Sequence, residues 1–528
     1  MTVEEMYPVC RSLVEPGIWK KIMNQTKGKE HAHRIPDILD AHRISYQLPE
    51  FIADLARLEE ALFVARTGSA FIPDVARFTI NPTVRLLELS WNNLLPYAQH
   101  ISGNECPRPE EKTERILVWV DPSTGRERAK VASDVDMLVL KMIAEDVDAH
   151  EVAFMGGVPL GAVDAAVDRA VENRLVLSPS PRIRRDPVFF TSAGVAGDRY
   201  LSSEYFTLQW HITNACDLHC KHCYDRSTRG AVSLAQGYSI LNDLREFCRN
   251  KHVHGQVSFT GGNPLLHPHF LELYEAAVNL NLTVAIMGNP ASREMLEEIV
   301  SISIPSFFQV SLEGLEEHND SIRGEGNFRN VLEFLDVLKD AGIYSQVMLT
   351  LTRDNIDEVM ALTDVLKGKA DAFNFNRLSL VGEGEHLSLP DLQRYRVFLN
   401  EYLEAARNNP VMQLKDNLIN IIRYQAGKPV FGGCTGFGCG AAFNFIALLP
   451  DGEVYACRKF PSLLGNVNSA SLLEVYDSEI AGKYRAGSIA CAQCPIRCVC
   501  GGCLAVASST GHDIFSQRDP FCFMDLEE

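Results

Sequence analysis

Asn214-Ala-Cys216-Asp-Leu-His-Cys220-Lys-His222-Cys223-Tyr224 is the stretch from which the rest of the chain can be read. Three thiolates at Cys-x3-Cys-x2-Cys spacing fall one short of a closed four-ligand site. On a cubane of four irons they would leave one iron open. An open coordination position is where chemistry occurs, whereas a closed site is structural. On these residues alone, a zinc site or a reduced structural trio is the plainer alternative. A hydrophobic run, Tyr205–Thr213, precedes the cysteines, and a helical stretch follows them.

The surroundings narrow the choice. At 528 residues, length allows roughly three to four domains. A hydrophobic content of 46% is enough for a sizeable core. A net charge of −18 argues against phosphate-backbone binding. The short basic run Arg182-Ile-Arg-Arg185 reads as a solvated linker face. No window holds eighteen apolar residues and the start, Met-Thr-Val-Glu-Glu, has no signal pattern, so the expectation is a cytoplasmic protein with no membrane segment. Fifteen cysteines in so long a chain, clustered in two places, suggest metal rather than disulfides. Cys10, Cys106 and Cys248 lie outside the clusters and read as small buried hydrophobes.

Between about 205 and 380, short β-branched or aromatic runs alternate with amphipathic stretches. The expected strands are Tyr205–Thr213, 257–260, Thr283–Met287, 307–312, 345–352 and 372–380, with helices such as 234–250 and 330–341 between them. Six βα units imply a parallel sheet with right-handed crossovers, an incomplete (βα)6 TIM-like barrel in an α/β fold. Catalytic groups on such barrels sit at the C-terminal ends of strands, which is where the cysteines fall. After the second strand comes Gly261-Gly262-Asn263-Pro264. Adjacent glycines let backbone approach a ligand closely, although Gly-Gly-x-Pro alone is a common turn. The fourth strand runs into Ser311-Leu-Glu313-Gly, followed by Asp320 and Arg323. There the plain reading is a strand cap at Ser311 and a surface pair between Glu313 and Arg323.

In this order the motifs resemble the radical S-adenosylmethionine (SAM) superfamily. That resemblance implies a [4Fe–4S] cluster on Cys216, Cys220 and Cys223 whose open iron binds SAM, and one-electron cleavage to a 5′-deoxyadenosyl radical. It also implies SAM contacts from Gly261, Gly262, Asn263 and Pro264, from Ser311 and Glu313 at the ribose, and from Arg323 at the carboxylate. The family has Gly-Gly-Glu-Pro where this chain has Asn263, so the ammonium contact would lean more on backbone carbonyls. His222 and Tyr224 would shield the cluster and stack near adenine, or serve as packing residues.

Nine further cysteines lie between 434 and 522: Cys434-x4-Cys439, Gly452-x4-Cys457, then Cys491-x2-Cys494-x5-Cys500-x2-Cys503, with Cys498 inside and Cys522 beyond. Two zinc ribbons could absorb eight of them. The order is similar to the SPASM extension of radical SAM peptide maturases, which implies two auxiliary [4Fe–4S] clusters. By position the first takes Cys434, Cys439, Cys457 and Cys503, and the second Cys491, Cys494, Cys500 and Cys522. The family has three residues between the last pair of the run and this chain two, so Cys498, Cys500 and Cys503 stay exchangeable. A turn signature at 448–455 predicts a hairpin that delivers Cys457.

Before residue 200 no metal-ligand spacing occurs. Phe51, Leu55, Leu58, Leu62 and Ala65 have helical period, and the segment around 49–96 resembles helical partner domains of iron-dependent peptide oxidases. A hairpin at 116–131, helical patterns at Asp134–Glu145, 149–154 and 160–173, and a closing strand at 175–177 form a winged-helix pattern. It resembles the domains that add a leader peptide as an extra strand. The expected divisions are a helical domain at 1–110, a winged-helix-like peptide-recognition domain at 111–185, the radical SAM partial barrel at 200–385, a helical linker at 386–430 and a SPASM domain at 431–528.

The resemblance implies an oxidoreductase that modifies a small ribosomally made Cys-containing precursor peptide by forming a C–S bond, with a flavodoxin or ferredoxin as electron donor and no nucleic-acid partner. Within that group, Trp210–Asn214 and the long N-terminal third resemble the selenobiotic (thio/seleno-oxazole) peptide maturases. Formylglycine formation, as in anaerobic sulfatase maturases, is the rival chemistry. A zinc and redox scaffold without SAM chemistry is the rival class.

Overall fold

The computed structural model describes residues 3–25, 33–68, 74–99, 107–190 and 197–525. They form two compact units, Met1–Ser180 and Pro181–Glu528.

In the first unit a three-stranded antiparallel sheet takes the order Arg85–Trp91, Glu111–Asp121, Arg126–Val131. Its central strand is buried on both faces, so its residues sort by alternation. Ile116, Val118 and Val120 pack with Leu55, Leu58 and Leu62 of helix Ile52–Thr67. Leu117 and Trp119 pack with Val139, Met142, Val163 and Ala166 of the helices Asp134–Glu145 and Leu160–Glu172. A Ser133–Asp136 capping box starts the first of these helices. Strand Val176–Leu177 pairs with Thr79–Ile80. The stretch 1–110, read as helical, therefore contains a strand at Arg85–Trp91. One sheet crosses the expected division at 110, and both of its faces draw on it. Cys106 lies outside the described residues; Cys10 is buried.

The second unit is built on one sheet. Six parallel strands follow in chain order: β1 (Tyr205–Thr213), β2 (His254–Gly261), β3 (Thr283–Met287), β4 (Phe308–Ser311), β5 (Ser345–Leu351) and β6 (Ala372–Arg377). Helices return the chain between them, for example Leu234–Lys251, which opens on a Ser233–Gln236 capping box, and Asn327–Asp340. This is the incomplete parallel barrel that the alternation predicts. Beyond β1 the sheet continues: β7 (Phe445–Leu448) lies parallel to β1, and β8 (Glu453–Tyr455) and β9 (Leu463–Asn466) follow antiparallel. The expected hairpin is thus an extension of the barrel sheet, and Cys457 emerges directly after it. The segment read as a solvated basic face is different. Arg185 is buried, stacked between Phe190 and Phe443, and donates to the carbonyls of Arg485, Phe437 and Cys439. Among the described residues no helix is long and apolar enough to cross a membrane.

Candidate active site

The C-terminal ends of β1 to β4 open onto a cavity of about 370 Å³. Cys216, Cys220 and Cys223 line it, with His222, Tyr224, Gly261, Gly262, Ser311 and Arg323. Of the sequence-predicted residues, Asn263, Pro264 and Glu313 stand behind this wall.

The two glycines act on the protein itself. A Cβ on Gly261 would meet the Thr213 carbonyl oxygen at 2.0 Å, and one on Gly262 would meet that of Ala215 at 2.3 Å. Gly261 also has φ +144°. Their backbone lies against the segment leading into Cys216, with Gly262 N donating to Thr213 O and Asn263 N to Ala215 O. The close approach that the glycines permit therefore docks the cysteine loop onto β2.

Asn263 completes this dock. Its Oδ1 accepts from Leu265 N, and its Nδ2 donates to Asp217 Oδ1 at 3.0 Å. Asn289 donates to the same oxygen at 2.7 Å and also reaches Cys216 Sγ at 3.7 Å. The chain thus uses Gly-Asn-Pro twice, at 262–264 after β2 and at 288–290 after β3, to clamp the residue beside Cys216. The repetition is visible in the sequence, although Asn289 belongs to none of the motifs there.

Glu313 is 2% exposed and holds other groups in place. Its carboxylate accepts from Arg323 Nη1 at 3.0 Å and from Thr350 N at 2.8 Å, and His222 Nε2 lies 3.4 Å away. Burial lowers the His222 pKa. Burial pushes the His211 pKa down to about 3, and its Nε2 lies 3.5 Å from the Tyr224 hydroxyl. Burial likewise pushes Tyr224 up to about 12. Arg458 stands over the Tyr224 ring and donates to Thr260 Oγ1 at 3.1 Å.

A second cavity of about 120 Å³ occupies the barrel interior. Cys434, Cys439, Cys457 and Cys503 line it, together with Gln209, Met287, Gln309, Met348 and Phe375 from the strands. Met287, Gln309 and Arg458 line both this cavity and that of the first three cysteines. A third cavity is lined by Cys491, Cys494, Cys500 and Cys522. Cys498 is 2% exposed and lines neither. The two groups interlock: Cys439 N donates to Cys500 O, and Gly501 and Gly502, both at positive φ, turn the chain between Cys500 and Cys503. Asp519 anchors the array to the barrel by accepting from Cys503 N and binding Arg377 of β6 bidentately.

Burial first, then mutual proximity, raises these thiols: Cys439 to about 12, Cys457 to about 11 and Cys491 to about 11. Without metal they stay neutral, so binding as thiolates must release protons. Among the described residues no three His, Cys, Asp or Glu side chains converge as a single metal ion requires. A cubane spreads its thiolates over four irons, so its ligands surround a volume rather than a point, and the all-thiol donor sets around the cavities suit it.

Residues 210–366 match the radical SAM superfamily, and residues 439–498 the SPASM iron–sulfur cluster-binding domain. This chain is a radical SAM enzyme with a SPASM domain. A radical SAM domain binds a [4Fe–4S] cluster with SAM, and a SPASM domain binds auxiliary iron–sulfur clusters. The radical SAM enzyme is 25% identical over 350 residues to the AdoMet-dependent heme synthase of Methanosarcina barkeri, covering 60% of this chain and 95% of that one. It is 27% identical over 315 residues to the antilisterial bacteriocin subtilosin biosynthesis protein AlbA of Bacillus subtilis, covering 56% and 66%. Its fold is similar to that of Streptococcus suis SuiB bound to precursor peptide SuiA, at a TM-score of 0.51 and 15% identity, covering 78% of this chain and 96% of SuiB.

Proposed function

We propose that this radical SAM enzyme matures a ribosomally made, Cys-containing peptide in the cytosol by forming a C–S bond. The observation that carries the reading is the shared wall. The cavity of the first three cysteines and the barrel cavity of Cys434, Cys439, Cys457 and Cys503 meet at Met287, Gln309 and Arg458. A substrate in the barrel would lie between them. The similarity to a bacteriocin biosynthesis protein favours a peptide.

Cys216, Cys220 and Cys223 are assigned to the SAM-binding cluster, the quartet of the barrel cavity to the first auxiliary cluster, and Cys491, Cys494, Cys500 and Cys522 to the second. Cys498 is assigned as a buried thiol. Bound there, SAM and the clusters would supply a hydrogen-abstracting radical and a destination for the electron that bond formation releases. The chain's own residues do the rest. Ser311 and Arg323, which line the cavity of the first three cysteines, would face SAM, and Glu313 holds Arg323 there. The paired Asn263 and Asn289 hold Asp217 and hence the cysteine loop. The apolar walls Met287, Met348 and Phe375 keep water from the substrate carbon. The balance is simple. Thioether formation takes two hydrogens from the peptide, one as a hydrogen atom from carbon and one as the thiol proton, and one electron leaves with them. A flavodoxin or ferredoxin would provide the electron for SAM cleavage. The winged-helix-like segment 111–185, with its open edge Arg126–Val131, would hold the leader peptide.

The experiment is an anaerobic reaction of cluster-loaded enzyme with SAM, a reductant and a short Cys-containing peptide encoded beside the gene. A peptide lighter by two hydrogens supports the reading. Loss of sulfur, or an unmodified peptide beside active SAM cleavage, contradicts it.

A further inference from the structure

Charge in the two neighbouring cavities is unevenly matched. Among the residues that line them, the carboxylates are Asp225 and Asp416. Both are taken. Asp225 accepts from Ser227 N and lies 4.0 Å from Arg229, and Asp416 pairs with Arg377 at 3.0 Å. The cations are Arg226, Arg323, Arg377, Lys415, Arg458 and Lys459. Arg226 faces Glu383, Arg323 binds Glu313, and Arg377 binds Asp416 and Asp519. Lys415 donates to the Cys434 carbonyl, and Lys459 stands among Cys434, Cys457 and Cys503, whose thiolates would balance it.

Arg458 is left. It follows Cys457 and lies over the Tyr224 ring at 5.7 Å, donating to Thr260 Oγ1. Among the described residues only one of its five donors is used, and none meets a carboxylate. It belongs to the wall common to both cavities. A guanidinium so placed, always charged and forked, suits a planar anion.

We propose that Arg458 anchors a carboxylate of the substrate in the wall between the two cavities, so that the molecule modified carries an acidic group next to the atom attacked. This rests on the reading of the substrate as a peptide, and the carboxylate is either an Asp or Glu side chain or the peptide's C-terminus. The anchor would hold one end of the reacting segment by a charge-assisted pair, while the apolar walls receive the rest.

The test measures binding without turnover. Cluster-loaded, SAM-bound, unreduced enzyme is dialysed against four N-acetylated probes: Gly-Gly-Asp-Gly-Gly amide, its Asn counterpart, and pentaglycine with a free or an amidated C-terminus. At least one carboxylate probe should bind about tenfold more tightly than its neutral twin. Preference for the Asp probe assigns a side chain, and preference for free pentaglycine assigns the C-terminus. Arg458→Gln should abolish the preference, and Arg458→Lys should keep part of it, with iron content and SAM affinity as in the wild type. Equal binding of both pairs by the wild type would overturn the proposal, whatever becomes of the variants. So would an intact preference in Arg458→Gln, or a matching loss of SAM affinity, which would make Arg458 a SAM contact. Failure of the maturase reading would be seen separately, as an unmodified precursor, and would leave a measured charge preference standing.

Discussion

Replacing Asp519 with Ala should cost the second unit about 4 kcal/mol. Arg377 is 3% exposed and makes three charge-assisted bonds, one to Asp416 at 3.0 Å and two to Asp519 at 2.9 and 2.6 Å. The truncation removes two of the three and leaves a buried guanidinium half compensated, a change worth about 3–5 kcal/mol when a buried ion pair loses one member. It also strips the acceptor from Cys503 N and Phe521 N. Asp416 remains, which keeps the cost near the middle of that range. A domain stability of about 5–15 kcal/mol makes this a large fraction. Trp210 is the tryptophan of the second unit, so anaerobic urea unfolding of metal-free protein is followed there, with Trp19, Trp91 and Trp119 replaced by Phe in both proteins. Adding Arg377→Met and Asp416→Asn to Asp519→Ala should return about 2 kcal/mol, because no buried charge is then left without a partner. A loss below about 1 kcal/mol for Asp519→Ala would refute the reasoning that this triad pins the cysteine array to β6.

Three further outcomes follow from the same geometry. Gly261→Ala should destabilise by about 3 kcal/mol or more, because its Cβ would lie 2.0 Å from the Thr213 carbonyl and its φ is +144°; the check is the urea midpoint together with iron retained by the loaded protein. Cys500→Ser and Cys503→Ser should each lose about four irons, while Cys498→Ser should lose none, as read by iron analysis of reconstituted protein. His211→Gln should flatten acid sensitivity. Its folded pKa of about 3 lies below the unfolded value near 6.5, so the wild type loses stability as pH falls from about 6.5 toward 3, at up to about 1.4 kcal/mol per pH unit. Parallel urea midpoints for wild type and variant at pH 7 and pH 5.5 would expose it.

The barrel was legible because its strands announce themselves locally. Tyr205–Thr213 and Thr283–Met287 are short β-branched or aromatic runs bounded by polar turns, and their spacing leaves room for one helix each. Strand Arg85–Trp91 was not legible. Leu87, Leu89 and Trp91 alternate, but the exposed Leu86 beside them makes the run look helical. Arg185 fell within a basic run whose composition suggests solvent, and only the tertiary cage of Phe190, Phe443 and three carbonyls takes it inside. Spacing left Cys500 and Cys503 exchangeable, and two consecutive left-handed glycines turn them toward different cavities. Arg458 has no signature in the chain around it, since its role depends on which wall it shares rather than on its neighbours in sequence.

SAM cleavage tied to the first three cysteines is the most direct test of radical SAM chemistry in this protein. Reconstituted protein is assayed for iron and then incubated anaerobically with SAM and dithionite, beside a Cys216→Ala/Cys220→Ala/Cys223→Ala variant. The parent should hold roughly a dozen irons and the variant about four fewer, with 5′-deoxyadenosine formed only by the parent. A parent that holds its full complement of iron yet forms no deoxyadenosine, or a variant that forms as much, would contradict that chemistry.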